Sequence, residues 1–227
     1  MSNHAFHFCG IALVAGANGT LWLPETQTLC VSDLHLGKSN RIARRAGLML
    51  PPFETLDTLT RLSEAITQCA PKTVVCLGDS FDDLTAAQDL APEAKTLIIQ
   101  LQAGREWIWI EGNHDAGPVD IGGTHLAQTT ITGLTFRHIA TDAHAEISGH
   151  YHPKHRIAGA TRPCFLYDTV RLIMPAFGTF TGGLQSDAEP LKSMFGPDTI
   201  AVLTGKSAIA TPVRNSQRTQ GSRGRSY

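Results

Sequence analysis

The sequence predicts an α/β fold, and three observations carry that expectation. Strand-like apolar runs alternate with helical segments through the first half. Strand-like runs with short connections dominate the second half. No linker-like stretch separates the two, so both halves are expected to stack as one sandwich.

The elements follow in order along the chain. His4–Cys9, Ile11–Ala15 and Leu21–Leu23 alternate as strands do, with Asn18-Gly19 as a tight-turn signal between the last two. Thr28–Asp33 is a short buried run that ends in a carboxylate. Ser39–Leu50 reads as a basic helix closed by Pro51-Pro52, and Phe53–Ala70 sets Leu56, Leu59, Leu62 and Ile66 on one side of an amphipathic helix. Thr73–Asp79 predicts a strand, Leu84–Ala103 a helix, and Glu106–Asn113 another strand. Beyond these, Ile131–His138, Ala145–His150, Cys164–Asp168 and Val170–Pro175 read as strands of an antiparallel or mixed second sheet. Ser186-Asp-Ala-Glu189 has the form of a capping box opening a short helix, and Thr199–Leu203 is a further strand. One domain is expected over residues 1–214. Residues 215–227, rich in Ser, Arg, Gln and Gly, lack an apolar anchor and are expected to be a disordered basic tail.

Bulk properties narrow the function classes. A chain of 227 residues with 42% hydrophobic and 17% charged residues has ordinary globular composition. Its formal net charge of -1 supplies no global field toward nucleic acid or membrane, so attraction to a polyanion must come from local patches. The five cysteines (Cys9, Cys30, Cys69, Cys76 and Cys164) form no C-x-x-C pair, which suits free thiols in a reducing compartment. The N-terminus lacks a basic n-region, and no segment approaches the roughly 20 apolar residues that span a bilayer. The expected location is cytoplasmic, with no membrane partner.

Chemistry gathers where the apolar runs end. Asp33, Asp79, Asn113, His138 and His150 close five of them, with His35, His114 and His152 one or two residues beyond. Ligands of α/β sheets collect past the carboxyl ends of strands, so these side chains can converge. In Asp33-Leu-His35 and His150-Tyr-His152, an extended backbone would set both side chains on one face. Gly78 allows a sharp turn ahead of Asp79, and Asn113 offers a neutral amide oxygen. Singly, each motif is more often a turn or a surface pair; jointly, in this order, they point to a metal centre. Oxygen and nitrogen donors without thiolate suit Mn, with Fe or Zn as alternatives.

These motifs resemble the calcineurin-like metallophosphoesterase superfamily over residues from about 28 to 180: Asp33-Leu-His35, Gly78-Asp79-Ser-Phe-Asp82, Gly112-Asn113-His114-Asp115, His138 and Gly149-His150-Tyr-His152. The resemblance implies a four-layer αββα sandwich of two mixed sheets flanked by helices. It further implies two divalent metal ions: Asp33, His35 and His152 on one, Asn113, His138 and His150 on the other, and Asp79 bridging both. His144, in the polar loop nearer His150, is the rival to His138. His114 would stay off the metals and protonate the leaving group after attack by a metal-activated hydroxide, with Asp115 as the candidate to orient it.

Ser32–Lys38, Gly78–Asp83, Trp107–Asp115 and Pro175–Gly183 look more narrowly like the bacterial DNA-ligase-associated metallophosphoesterases. That resemblance implies a phosphodiesterase, a DNA endonuclease in DNA repair, with DNA as substrate and functional association with a DNA ligase and a helicase. Asp82-Asp83 stands where protein phosphatases of the superfamily carry an arginine, which favours a monoanionic diester over a dianionic monoester. Lys38, Arg41, Arg44 and Arg45 follow the first motif and are candidates for flanking phosphate contacts. The alternative function is a phosphomonoesterase or nucleotide pyrophosphatase acting on a small phosphorylated metabolite.

Overall fold

The computed structural model describes residues 2–39, 53–115, 117 and 120–213. The first sheet contains β1 (His4–Phe8), β2 (Ile11–Ala15), β3 (Leu21–Leu23), β4 (Thr28–Val31), β5 (Thr73–Leu77), β6 (Glu106–Ile110) and β7 (Thr124–Leu126), in that spatial order. Strands β1 to β4 pair antiparallel, and β4 to β7 pair parallel. The connections explain the switch, because tight turns join antiparallel neighbours whereas parallel neighbours need crossovers. Helix α1 (Glu54–Cys69) lies between β4 and β5, and α2 (Leu84–Gln88) and α3 (Pro92–Gln102) lie between β5 and β6.

The second sheet holds β8 (Gln128–Ile131), β9 (Leu134–Arg137), β10 (Glu146–Ser148), β11 (Lys154–Ile157), β12 (Ala160–Tyr167), β13 (Arg171–Ile173), β14 (Ile200–Leu203) and β15 (Ile209–Pro212). Its order is β15-β14-β12-β13-β10-β9-β8, with β11 on β12. Only β10 runs parallel to its neighbours, β9 and β13. A short helix, α4 (Leu191–Met194), follows β13.

Period-two alternation builds the layers. On β4, β5 and β6 the residues Leu29, Val31, Val74, Cys76, Trp107 and Trp109 face a core shared with α1 and α3. Their neighbours Cys30, Val75, Leu77, Ile108 and Ile110 face Phe136, Ile147, Phe165 and Leu172 of the other sheet. On the far side of the second sheet, Cys164, Leu166, Ile173 and Leu203 pack on Leu191 and Phe195. The result is the αββα order, with a thin outer layer at α4.

Three expected elements differ. The helix over 84–103 is broken into α2 and α3, because Pro92 holds the preceding Ala91 extended, at ψ 144. The strand expected over 131–138 is a hairpin, β8–β9, turned at Thr132 (φ 50) and Gly133 (φ 83). The capping box at Ser186–Glu189 opens no helix; the helical turn begins after Pro190. Apart from Ser39, the basic helix expected over 39–50 lies outside the described residues, as does the tail over 215–227. No helix among the described residues is long and apolar enough to cross a membrane. All five cysteines are free thiols.

Candidate metal centre

The parallel strands explain why the expected side chains meet. β4, β5 and β6 end together on one sheet, and β9 and β10 end together on the other, so five loops leave the same edge of the sandwich. Asp33 lies two residues past β4, Asp79 two past β5, and Asn113 three past β6, while His138 directly follows β9 and His150 lies two past β10.

The local backbone differs from the extended form expected of these motifs. Asp33 (φ 52), His35 (φ 46), Asp79 (φ 45), His150 (φ 70) and His152 (φ 46) all adopt the left-handed region. Such a conformation costs about 1–2 kcal/mol per non-glycine residue, and it persists where surrounding contacts over-determine it. Here the loops are laced together. Asp33 N donates to Gly78 O at 3.3 Å, His35 N to Asp79 O at 2.9 Å, Leu36 N to Ser80 O at 2.9 Å and Gly178 N to Asp33 O at 3.1 Å. Left-handed turns, rather than strand alternation, aim each pair of side chains inward.

The side chains form two facing clusters. In the first, His152 Nε2 lies 3.2 Å from Asp33 Oδ1 and 3.4 Å from His35 Nε2. In the second, His138 Nε2 lies 2.9 Å from Asn113 Oδ1, 3.3 Å from Asp79 Oδ2 and 3.2 Å from His150 Nδ1. Asp33 joins them, since its Oδ1 is 3.9 Å from His138 Nδ1 and its carboxylate accepts from the His150 amide. The Ser32 hydroxyl also donates to the Asp33 carboxylate. Asp33, His35, Asp79 and His138 are buried, whereas Asn113 is exposed and His150 and His152 are half-buried, so the centre opens to solvent on one side. A cleft of about 330 Å³ lies there, against Asn113, His138 and Ile139. His144 is exposed and belongs to neither cluster.

Second contacts set the protons. His138 Nδ1 meets the Leu77 carbonyl at 3.0 Å. A carbonyl only accepts, so Nδ1 carries a hydrogen and Nε2 is the atom left to face the cluster, with a lone pair when the ring is neutral and an N–H when it is charged. Burial pushes the Asp79 carboxyl up, but the hydrogen bond and charge of His138, helped by the His114 amide, hold it at about 2. Burial pulls His138 down, and the carboxylates of Asp79 and Asp33 more than offset that, leaving it raised. His150 is lowered by burial and by the His138 charge.

Asp115 and Asp82 take different parts from those expected. The Asp115 carboxylate accepts from four backbone amides: Asp79 (3.1 Å), Ser80 (2.7 Å), Phe81 (3.1 Å) and Gly112 (3.0 Å). The group that meets the His114 ring is instead the Asp82 carbonyl, 2.9 Å from Nδ1. The buried Asp82 carboxylate also stands 3.3 Å from His35 Nδ1, and His35, Asp82 and His114 make a third cluster of donor atoms. In the sequence Asp82 is legible only as added charge; its place three residues after Asp79 in Gly78–Asp82 is the available signal. Lys38 reaches the Phe180 carbonyl at 3.1 Å, and Arg41, Arg44 and Arg45 lie outside the described residues.

Gly149 shows how tightly the loops are fitted. A Cβ at this position would overlap Ser32 Oγ and crowd Asp33 Oδ2. Gly149→Ala is expected to cost about 1–3 kcal/mol in stability by overpacking and to weaken metal binding by displacing Asp33. Thermal melting with and without Mn checks both; an unchanged melting temperature and Mn response would refute the close fit.

Comparison with known proteins agrees with this architecture. The crystal structure of Pseudomonas putida nuclease MPE matches with a TM-score of 0.74 at 23% identity, covering 93% of this chain and 100% of that one, which shows a shared fold. No curated protein matches the sequence. The family model for calcineurin-like phosphoesterases matches residues 26–191, a span that runs from the strand before Asp33 to beyond His152. The chain therefore belongs to the calcineurin-like phosphoesterase family.

Proposed function

We propose that this metal-dependent phosphoesterase is a binuclear phosphodiesterase that cuts DNA in DNA repair. The carrying observation is the pair of clusters joined through Asp33. In the second, His138 Nε2 faces an amide oxygen, a carboxylate oxygen and another imidazole nitrogen at 2.9–3.3 Å. Lone pairs so arranged repel unless a proton or a cation lies among them, and the oxygen and nitrogen donors fit a divalent ion such as Mn. Asp33, His35 and His152 would hold one cation, Asn113, His138 and His150 a second, and Asp79 would be shared. Two such cations, when bound, lower the pKa of water toward neutrality and neutralise charge on the phosphoryl oxygens.

The protein's own groups do the rest. His114 stands against the edge of His35, with ring centroids 5.4 Å apart, and donates Nδ1–H to the Asp82 carbonyl. As an imidazolium it keeps a second N–H, at Nε2, for the leaving oxygen. The Asp82 carboxylate beside His35 adds negative charge at the centre. That carboxylate repels each further unit of substrate charge, which disfavours a dianionic monoester relative to a monoanionic diester. Asp83 contributes less, because its side chain caps α2 at Ala86 N. The Pseudomonas putida protein that shares this fold is a nuclease, which supports a diester substrate. Resemblance to the DNA-ligase-associated group supports DNA, repair, and association with a ligase and a helicase.

The test compares a bis-aryl with a mono-aryl phosphate in Mn, beside single-stranded, duplex and hairpin DNA. The diester is expected to be the better substrate, chelation is expected to abolish turnover, and added Mn to restore it. Preference for the monoester would overturn the diesterase assignment in favour of a small-metabolite phosphatase.

A further inference from the structure

The loop after β13, Pro175–Gly183, has no part in the chemistry above, yet it is built into the centre. Phe177 N donates to Ser32 O at 2.8 Å and Gly178 N to Asp33 O at 3.1 Å, so its backbone lies directly on the first metal motif. Below, Arg61 donates to Phe177 O at 2.6 Å and to Thr179 Oγ1 at 3.0 Å, and its guanidinium sits 4.6 Å from the Phe177 ring. Where Phe177 is buried at 1%, Phe180 is exposed at 64%. Phe180 also has φ 60, a left-handed conformation that a bulky residue adopts at a cost of about 1–3 kcal/mol. Two ammonium groups flank it: Lys38 Nζ on the Phe180 carbonyl at 3.1 Å and Lys154 Nζ on the Thr181 carbonyl at 3.5 Å. Neither lysine forms an ion pair among the described residues. The ring lines a cleft of about 610 Å³.

An aromatic face held out to solvent on a tethered loop, with unpaired cations at its base, is the arrangement that receives a base and its phosphate in single-stranded nucleic acid. Reach agrees. Phe180 lies two residues beyond the amide that touches Asp33, within about 7 Å along the chain. The Asp33 main-chain oxygen that this amide bonds belongs to the first metal motif, so a strand with its phosphate at the metal centre has the ring within a few nucleotides.

We propose that Phe180 is a stacking platform for an unpaired nucleobase flanking the scissile phosphate, with Lys38 and Lys154 holding the adjacent phosphates. The site selects single-stranded nucleic acid over duplex, because only an unpaired base offers both faces. This inference rests on the diesterase reading above.

The test uses the full chain with Mn and two fluorescent polymers, a single-stranded oligodeoxynucleotide and one of equal length made of abasic residues. Wild type is expected to favour the base-bearing strand. In Phe180→Ala the ratio of kcat/KM between the two is expected to collapse toward one, through a loss of about 5–100-fold on the base-bearing strand. Phe180→Trp is expected to keep the ratio, and adding Phe180→Ala to a slow-cutting His114→Ala background is expected to weaken binding of the labelled strand in parallel, read by anisotropy before cleavage. If wild type cuts both polymers and Phe180→Ala leaves the ratio unchanged, or lowers both rates equally, stacking is overturned while the diesterase reading stands. If wild type leaves both polymers intact yet hydrolyses a small phosphate ester, both fall together.

Discussion

Replacing His114 with alanine is expected to slow turnover about 10²–10⁴-fold while leaving the bound metal in place. The side chain is absent from the clusters Asp33/His35/His152 and Asp79/His138/His150, and it joins only the third, with His35 and Asp82. What His114 gives the centre as a scaffold is its backbone amide, which donates to Asp79 Oδ1 at 2.9 Å and survives the substitution. What alanine removes is the ring, half-buried at the rim with Nδ1 fixed on the Asp82 carbonyl. Metal content by elemental analysis, measured beside kcat, separates the two roles. Retained metal with slow turnover places His114 in proton transfer. Lost metal would make it a ligand in the cluster with His35 and Asp82, and unchanged turnover would remove it from the chemistry.

Much of this centre is legible because its residues sit where strand patterns stop. Apolar runs such as Val74–Leu77 and Ile108–Ile110 announce buried strands, and the residues just past them share an edge once the strands are parallel. How the edge is made is not written in the same pattern. A left-handed φ at Asp33 or His152 depends on amides arriving from other loops, so local propensity carries no trace of it. For the same reason the extended geometry expected of Asp-x-His is the wrong cause of a correct convergence. Asp82 and Asp115 show the limit more sharply. Both are carboxylates beside motif residues, and neighbours in sequence suggest added charge for one and a His114 partner in the other. Burial and bonding separate them: Asp82 faces the imidazoles, and Asp115 faces backbone. Edge strands such as β7 and β15 escape because their residues are largely exposed or half-buried, which leaves little apolar pattern to register.

Asp115→Ala is expected to cost about 3–5 kcal/mol of folding stability, more than most single substitutions. The side chain is 5% exposed and accepts from the amides of Asp79, Ser80, Phe81 and Gly112. Burial and the neighbouring Asp79 charge push its carboxyl up, and the amides of Phe81, Ser80 and Gly112 draw it back. Alanine leaves four buried N–H groups without their acceptor, each worth about 1–3 kcal/mol when dry, and water entering the vacated space recovers part. Asparagine keeps one oxygen but turns an NH2 toward amides that need an acceptor, so Asp115→Asn is expected to recover little. The damage reaches the metals through Asp79, whose left-handed backbone is pinned by the bond from its own amide to Asp115 Oδ1. Urea unfolding of the metal-free protein reads stability apart from metal, and Mn titration then reads the site. Had Asp115 served to orient His114, its loss would slow turnover with fold and metal affinity intact. The four amides call for the opposite order, in which stability and metal affinity fall first and activity follows them, and an Asp115→Ala protein of wild-type stability but low kcat would refute this assignment.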